Sequence, residues 1–327
     1  MRETLENICR QFIENRDIVK GAFNFESAYM HPICAAIFTQ KNVKADAFLM
    51  KECQKKLKEK TGAFSNFRGN SKIAVISMMA TAKDPDKRLE SAMTVYEMLR
   101  GHFFGSEYLP LASMVISDNA DVEKYAEICE RTRRIYDLFK SEHPFLTSAE
   151  DVVFASILAL SDAYERDIVI ETERCYEILK ENFGATNATQ SLSHVLALFN
   201  GKSQDKCKET VDFYNELRQK GCKYGVQYEL ASLGVLAMQR RTNENIISDL
   251  LDAEAFLSTC SGYRGIFGFT KKTRLMHASI ILSCESTSEQ AVMNAATLGS
   301  TVSMIIAQQA AMCAAIAATT AASSSSN

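Results

Sequence analysis

Glycine and proline are scarce in this chain, with 14 and 4 residues among 327. A β-sandwich or barrel of this length would need many more turn residues, so the shortage points away from all-β folds and towards helices. An excess of one charge is missing too. The formal charge is −3, from 37 basic and 40 acidic residues, which leaves no field to draw in a nucleic-acid backbone. Two local basic clusters, Lys55, Lys56, Lys58 and Lys60 and then Arg131, Arg133 and Arg134, fall on helical stretches and read as solvated faces. Ten cysteines contain no C-x-x-C pair, and the five histidines lie far apart with no H-E-x-x-H or H-x-x-x-H spacing. No metal site is therefore expected. Gly262, Gly265 and Gly268 match neither dinucleotide nor P-loop spacing and follow no strand, so no phosphate cradle or other cofactor is expected. Ser193 and His194 are neighbours on a helix, point about 100° apart and cannot share a proton as nucleophile and base. The opening MRETLENICRQFIEN is charged throughout and lacks the apolar core of a signal peptide. Together with cysteines placed like small hydrophobes, this predicts a reducing cytoplasm.

What the chain does have is a period. With 46 % hydrophobic residues there is ample material for a core, and the apolar positions recur at helical spacing. From about residue 25 a unit of ~40 residues repeats, the signature of stacked structural repeats. Tyr96, Tyr136, Tyr176 and Tyr214 mark the second helix of successive units, and each ring is expected against the next hairpin. The first helices align as AVISMMA, LASMVIS, FASILAL, LSHVLAL, LGVLAM and ASIILS, with Ser77, Ser113, Ser156, His194, Gly234 and Ser279 in one column. Small residues at a fixed place let helices approach closely. Asp84-Pro85 reads as an N-cap with proline at the first helical position. Thr147 with Glu150, and Ser286 with Glu289, read as capping boxes. Gly62, Gly101, Gly221 and Gly262 fall near unit ends, where a C-cap wants a left-handed residue. Units are cut at about 25–62, 63–101, 102–142, 143–182, 183–221, 222–262 and 263–305.

The fold expected is thus all-α: stacked helical hairpins in an α-solenoid-like arrangement, with a closed α/α toroid as the alternative. Residues 1–24 form an N-terminal helix, 25–305 about seven hairpin units, and 306–327 an Ala-rich C-terminal helix with a Ser-rich tail. No charged residue follows Glu289, and AVMNAATLGSTVSMIIAQQAAMCAAIAATTAA (291–322) is long enough to cross a bilayer. Its amide side chains and abundant alanine favour a closing helix over a membrane anchor.

Binding residues concentrate on loops held by a rigid scaffold. The loops before the first helices read GAFSNFRG (62–69), HFFGSEYL (102–109), HPFLTSAED (143–151), FGATNATQ (183–190) and GYRGIFGFT (262–270). Each carries an aromatic. Phe64, Phe103, Phe145 and Phe183 are expected to plug the grooves between hairpins, while the loops share a rim that can present a site. Arg68 follows two aromatics in such a turn, where a guanidinium either ties the loop together or meets an anion. His143 precedes a first helix, Asp151 opens that helix where its charge suits the dipole, and His194 is the one large polar member of the small-residue column.

Three of these stretches carry a resemblance: Gly62-Ala-Phe-Ser-Asn-Phe-Arg-Gly69, His143-Pro-Phe-Leu-Thr-Ser-Ala-Glu-Asp151 and Gln190-Ser-Leu-Ser-His194-Val-Leu-Ala-Leu198. With them, and with its Ala-rich, Ser-ended C-terminus, the chain resembles over nearly its whole length an uncharacterised all-helical bacterial family catalogued as a domain of unknown function. The resemblance implies no reaction, cofactor or substrate. It places Arg68, His143, Asp151, Gln190 and His194 within recognisable motifs, which makes them the candidate binding residues. No catalytic residue is assigned. The expected function is that of a cytoplasmic helical-repeat scaffold for a peptide or protein partner, with no nucleic acid. The alternative is an enzyme or small-molecule binder with a pocket near Arg68, His143, Asp151 and His194.

Overall fold

The computed structural model describes residues 1–63, 65–239, 241–265, 268–290 and 315. Among them are fourteen α-helices and no strand. In order these are α1 (Glu3–Ala22), α2 (Met30–Gln40), α3 (Ala47–Lys60), α4 (Lys72–Ala80), α5 (Pro85–Arg100), α6 (Leu109–Asn119) and α7 (Tyr125–Glu142). There follow α8 (Asp151–Ala159), α9 (Glu165–Phe183), α10 (Asn187–Ala197), α11 (Ser203–Gln219), α12 (Leu230–Ala237), α13 (Asn243–Thr259) and α14 (Lys271–Gln290). Short 3₁₀ turns occupy Asn66–Arg68 and Val122–Lys124. Each segment from 25–62 to 222–262 holds one shorter helix followed by one longer one.

The two kinds of helix differ in what they bury. Every residue of α8 and of α12 is buried, as the sequence demands of helices apolar all round. The long helices bury one stripe. In α7 it is Tyr125, Ile128, Cys129, Thr132, Ile135 and Phe139, one face of the helical period, with charges elsewhere.

Of the described residues, Arg16–Ile170 form one compact unit, and Met1–Asn15 with those from Glu171 onward form another. Within the first, the short helices α2, α4, α6 and α8 pack in succession, and α5 lies against both α3 and α7. Within the second, α12 packs between α10 and α14, and α11 against α13. The aligned column is buried throughout: Ser77, Ser113, Ser156 and Ser279 are fully covered and His194 nearly so. Each serine turns its hydroxyl back to a carbonyl of its own helix (Ile73, Pro110, Val152 and Leu275). Ser279 also meets the Tyr224 hydroxyl at 2.8 Å, a contact outside its own helix. At Gly234 a Cβ would come within 2.5 Å of Leu192 Cδ1, so α10 and α12 approach closely there and a side chain would make Leu192 shift.

The helix ends partly follow expectation. Asp84 accepts from the Lys87 N–H at 3.0 Å, with Pro85 opening α5. Gly221 and Gly262 have φ of 74° and 79°, but Gly101 lies at φ −67° in the right-handed region. The Thr147–Glu150 box is displaced by one residue. Asp151 Oδ2 takes the Ser148 N–H at 2.7 Å, and Thr147 instead donates to the Phe139 carbonyl at the end of α7. No helix opens at Ser286, because α14 runs on through it to Gln290. Among the described residues nine cysteines are free thiols, eight of them buried. Burial pushes Cys9, Cys34 and Cys129 up to about 12. Among the described residues no helix is long and apolar enough to cross a membrane. The Ala-rich stretch 291–322 lies, Ala315 apart, outside them.

Candidate functional site

The loops that enter α2, α4, α6 and α8 stand side by side in the first unit. Glu26, before α2, pairs with Lys72 at the start of α4 at 2.7 Å. The Ser71 hydroxyl, also before α4, donates to the Glu107 carbonyl before α6 at 2.9 Å. A Cβ on Gly105 would lie 2.8 Å from Asn66 Oδ1, so these two loops touch where a side chain would not fit. Glu150, before α8, sits near enough to Tyr108 to help burial push that phenol's pKa up. The four entrances therefore make one rim.

Aromatic residues divide on this rim into two sets. One set turns inward. Phe23 is buried beneath the Lys51 ammonium, 4.3 Å from the ring centre. Phe67 packs on Tyr96 at 4.9 Å, and the Tyr96 hydroxyl donates to Asn66 Oδ1 at 2.7 Å. Phe103 meets Tyr136 edge-on at 5.3 Å, with the Arg133 guanidinium 5.2 Å above its ring. In the second unit Phe183 meets Tyr214 in the same way at 5.1 Å. Three of the four marker tyrosines, Tyr96, Tyr136 and Tyr214, thus pack on the loop entering their own hairpin. Tyr136 also lies near enough to Asp151, in the following hairpin, for that carboxyl to add to burial in raising the phenol's pKa. The other set turns outward: Phe25, Phe104 and Phe145 are 97 %, 98 % and 99 % exposed. Phe145 is no plug, and Phe64 lies outside the described residues. Scattered apolar side chains are ordinary on a surface. A fully exposed phenylalanine in three of four adjacent loops is a pattern, and apolar patches of this kind mark contact sites.

Arg68 ends the 3₁₀ turn of the α4 entrance and is half-buried. Its side chain has no ion pair or hydrogen bond with another described residue. His143 closes α7: its N–H donates to the Phe139 carbonyl at 2.8 Å, and its own carbonyl accepts from Leu146 and Thr147. Lys140 donates to the carbonyls of Thr147 and Pro144. The α8 entrance is therefore tied across its base, with Phe145 at the tip. Asp151 is 2 % exposed, and burial pushes its carboxyl up to about 7, against the Ser148 N–H that favours the charge. Gln190 and His194 lie one turn apart on α10, both buried, in the second unit. Arg68, His143 and Asp151 belong to the first. Among the described residues no cluster of His, Cys, Asp and Glu has the makings of a metal site.

Of the outward phenylalanines, Phe145 was expected as a groove plug, and Phe25 and Phe104 were not singled out from the sequence. Their signal was doubling: Phe23 with Phe25 and Phe103 with Phe104 put two aromatics in loops where one fills the groove.

Residues 15–311 match the family described as "Protein of unknown function (DUF4003)". The chain belongs to this family. The match spans the rim and all five candidate binding residues. No curated protein and no solved structure matches this DUF4003 chain significantly.

Proposed function

We propose that this DUF4003 protein is a cytoplasmic helical-repeat scaffold that binds a protein or peptide partner through the rim of its first unit. On this reading each short and long helix is one hairpin. Stacked hairpins bury a continuous core and leave their loops to present a surface. The observation that carries the reading is the outward row of Phe25, Phe104 and Phe145 on loops cross-tied at their bases. Rigid aromatics lose little entropy on binding, and large aromatic anchors dominate protein interfaces. Arg68, without a carboxylate of its own in the described structure, adds a cation for an acidic group. The partner is thus a polypeptide with apolar pockets and an acidic side chain.

The test is a triple substitution, Phe25→Ser, Phe104→Ser and Phe145→Ser. These side chains support no core, so the melting temperature should stay within a degree or two. Covalent cross-linking in cells should recover a protein with the wild-type chain and at least tenfold less of it with the variant. Equal recovery of the same proteins by both chains overturns the reading.

A further inference from the structure

We propose that a second site, at the far ends of the same short helices, binds the phosphate group of a small molecule. It does not depend on the rim reading. A cleft of about 430 Å³ opens in the first unit where α2, α4 and α6 finish and α5 begins. Its volume falls in the range of small-molecule sites, roughly 300–1,000 Å³. Lys41, Thr81, Asp84, Lys87, Arg88, Ser91 and Asp118 supply its polar lining.

The charges there do not cancel locally. Arg88 pairs with Asp118 and also donates to the Met78 carbonyl and the Thr81 hydroxyl. Asp84 is turned to the backbone as the N-cap of α5. That leaves the Lys41 and Lys87 ammoniums, neither of which has an ion pair or hydrogen bond with a described residue. Both are exposed at the mouth. The first turn of α5, a helix of 16 residues, adds the positive end of its dipole. A further feature is independent of these. Arg88 Nε is buried with no hydrogen-bond partner, although its other nitrogens are engaged. Buried donors in folded proteins are nearly always satisfied, so an acceptor that enters from the cleft would complete the bonding of Arg88. Two ammoniums and a guanidinium N–H together suit a tetrahedral dianion with several acceptor oxygens. The space left beside it accommodates a small organic carrier.

Calorimetric titration of the full chain at low ionic strength tests this, with inorganic phosphate and glycerol phosphate as probes. Saturable binding should appear for at least one of them. Lys41→Ala with Lys87→Ala should weaken it at least about tenfold without lowering the melting temperature, since both side chains are exposed. Tighter binding of glycerol phosphate assigns the site to a phosphate monoester, and equal or tighter binding of inorganic phosphate assigns it to the free ion; either outcome supports the proposal. No saturable binding of either probe at 10 mM (about the weak end of specific binding,), or binding undiminished in the double variant, overturns it.

Discussion

Asp151 sits in an environment that works against its charge. It is almost wholly buried, and its carboxyl titrates near 7 where an ordinary aspartate titrates near 3.8. The folded protein therefore holds a proton that the unfolded chain releases between those values. Stability falls as pH rises through that window and levels off above about 7. Asp151→Asn keeps an oxygen for the Ser148 N–H and cannot ionise. Its melting temperature should change less between pH 5 and pH 8 than that of the wild type. At pH 8 it should be the more stable protein, by on the order of 2–4 kcal/mol. Thermal melts at the two pH values check this, and parallel curves for the two proteins would show that Asp151 stays charged. The sequence marked this residue as a helix opener but put the capping box one residue early. Thr147-x-x-Glu150 and Ser148-x-x-Asp151 have the same spacing, and both fit the pattern. What separates them is a tertiary contact, the Thr147 hydroxyl on the Phe139 carbonyl, which no local rule contains.

Single elements repeat one device, a cation on a long helix that closes the end of a short one. Lys206 and Arg88 each stand fourth in their helices, α11 and α5. Lys206, 4 % exposed, donates to the Leu196 and Phe199 carbonyls at 2.8 Å and pairs with Glu171 at 2.7 Å. Arg88 does the same for α4 through the Met78 carbonyl. Carbonyls at a helix C-terminus lack intrahelical donors and favour a positive charge. Lys206→Met keeps the aliphatic stem, leaves Glu171 with the Ser203 hydroxyl but no cation, and uncaps α10, so it should cost about 3 kcal/mol in urea unfolding. Glu171 is 25 % exposed and can turn to water, which keeps the loss at the lower end for broken buried pairs. A loss under about 0.5 kcal/mol would mean that Lys206 contributes no more than a surface cation. The helices themselves were legible because periodicity is local: apolar all round for α8 and α12, one stripe for α7. The exposure of Phe104 beside half-buried Phe103 was not, because two adjacent loop aromatics differ only in which way the turn aims them.

The whole chain is not laid out in sequence order, and one guanidinium shows it. Arg2 forks onto Asp249 at 2.7 Å and onto Glu285 at 2.7 Å, while Arg241 takes a second hold on Asp249. Thr4 adds its hydroxyl to Glu285 at 3.0 Å. These contacts join residues separated by 247 and 283 positions, so the compact unit from Glu171 onward includes the first fifteen residues as well. Periodicity assigned α1 to a leading helix but held no trace of this pairing, because charge partners that far apart leave no spacing to read. Burial alone would raise the Asp249 carboxyl; the hydrogen bonds from Arg2 and Arg241 outweigh it and hold the pKa below the ordinary value. A depressed pKa contributes stability that is present above the ordinary carboxyl range and lost as pH falls through the folded value. Arg2→Met removes much of that contribution and leaves Glu285, 2 % exposed, short of its bidentate partner. Because Arg2 is itself 42 % exposed, the expected loss at pH 7 is about 2 kcal/mol, below that of a fully buried pair. The variant and wild type should converge as pH falls below about 4, where the carboxyls take up protons in both. Urea unfolding at pH 7 and pH 3.5 reads both effects. A deficit that stays constant across that range would assign the loss to the packing of the arginine stem rather than to its charge.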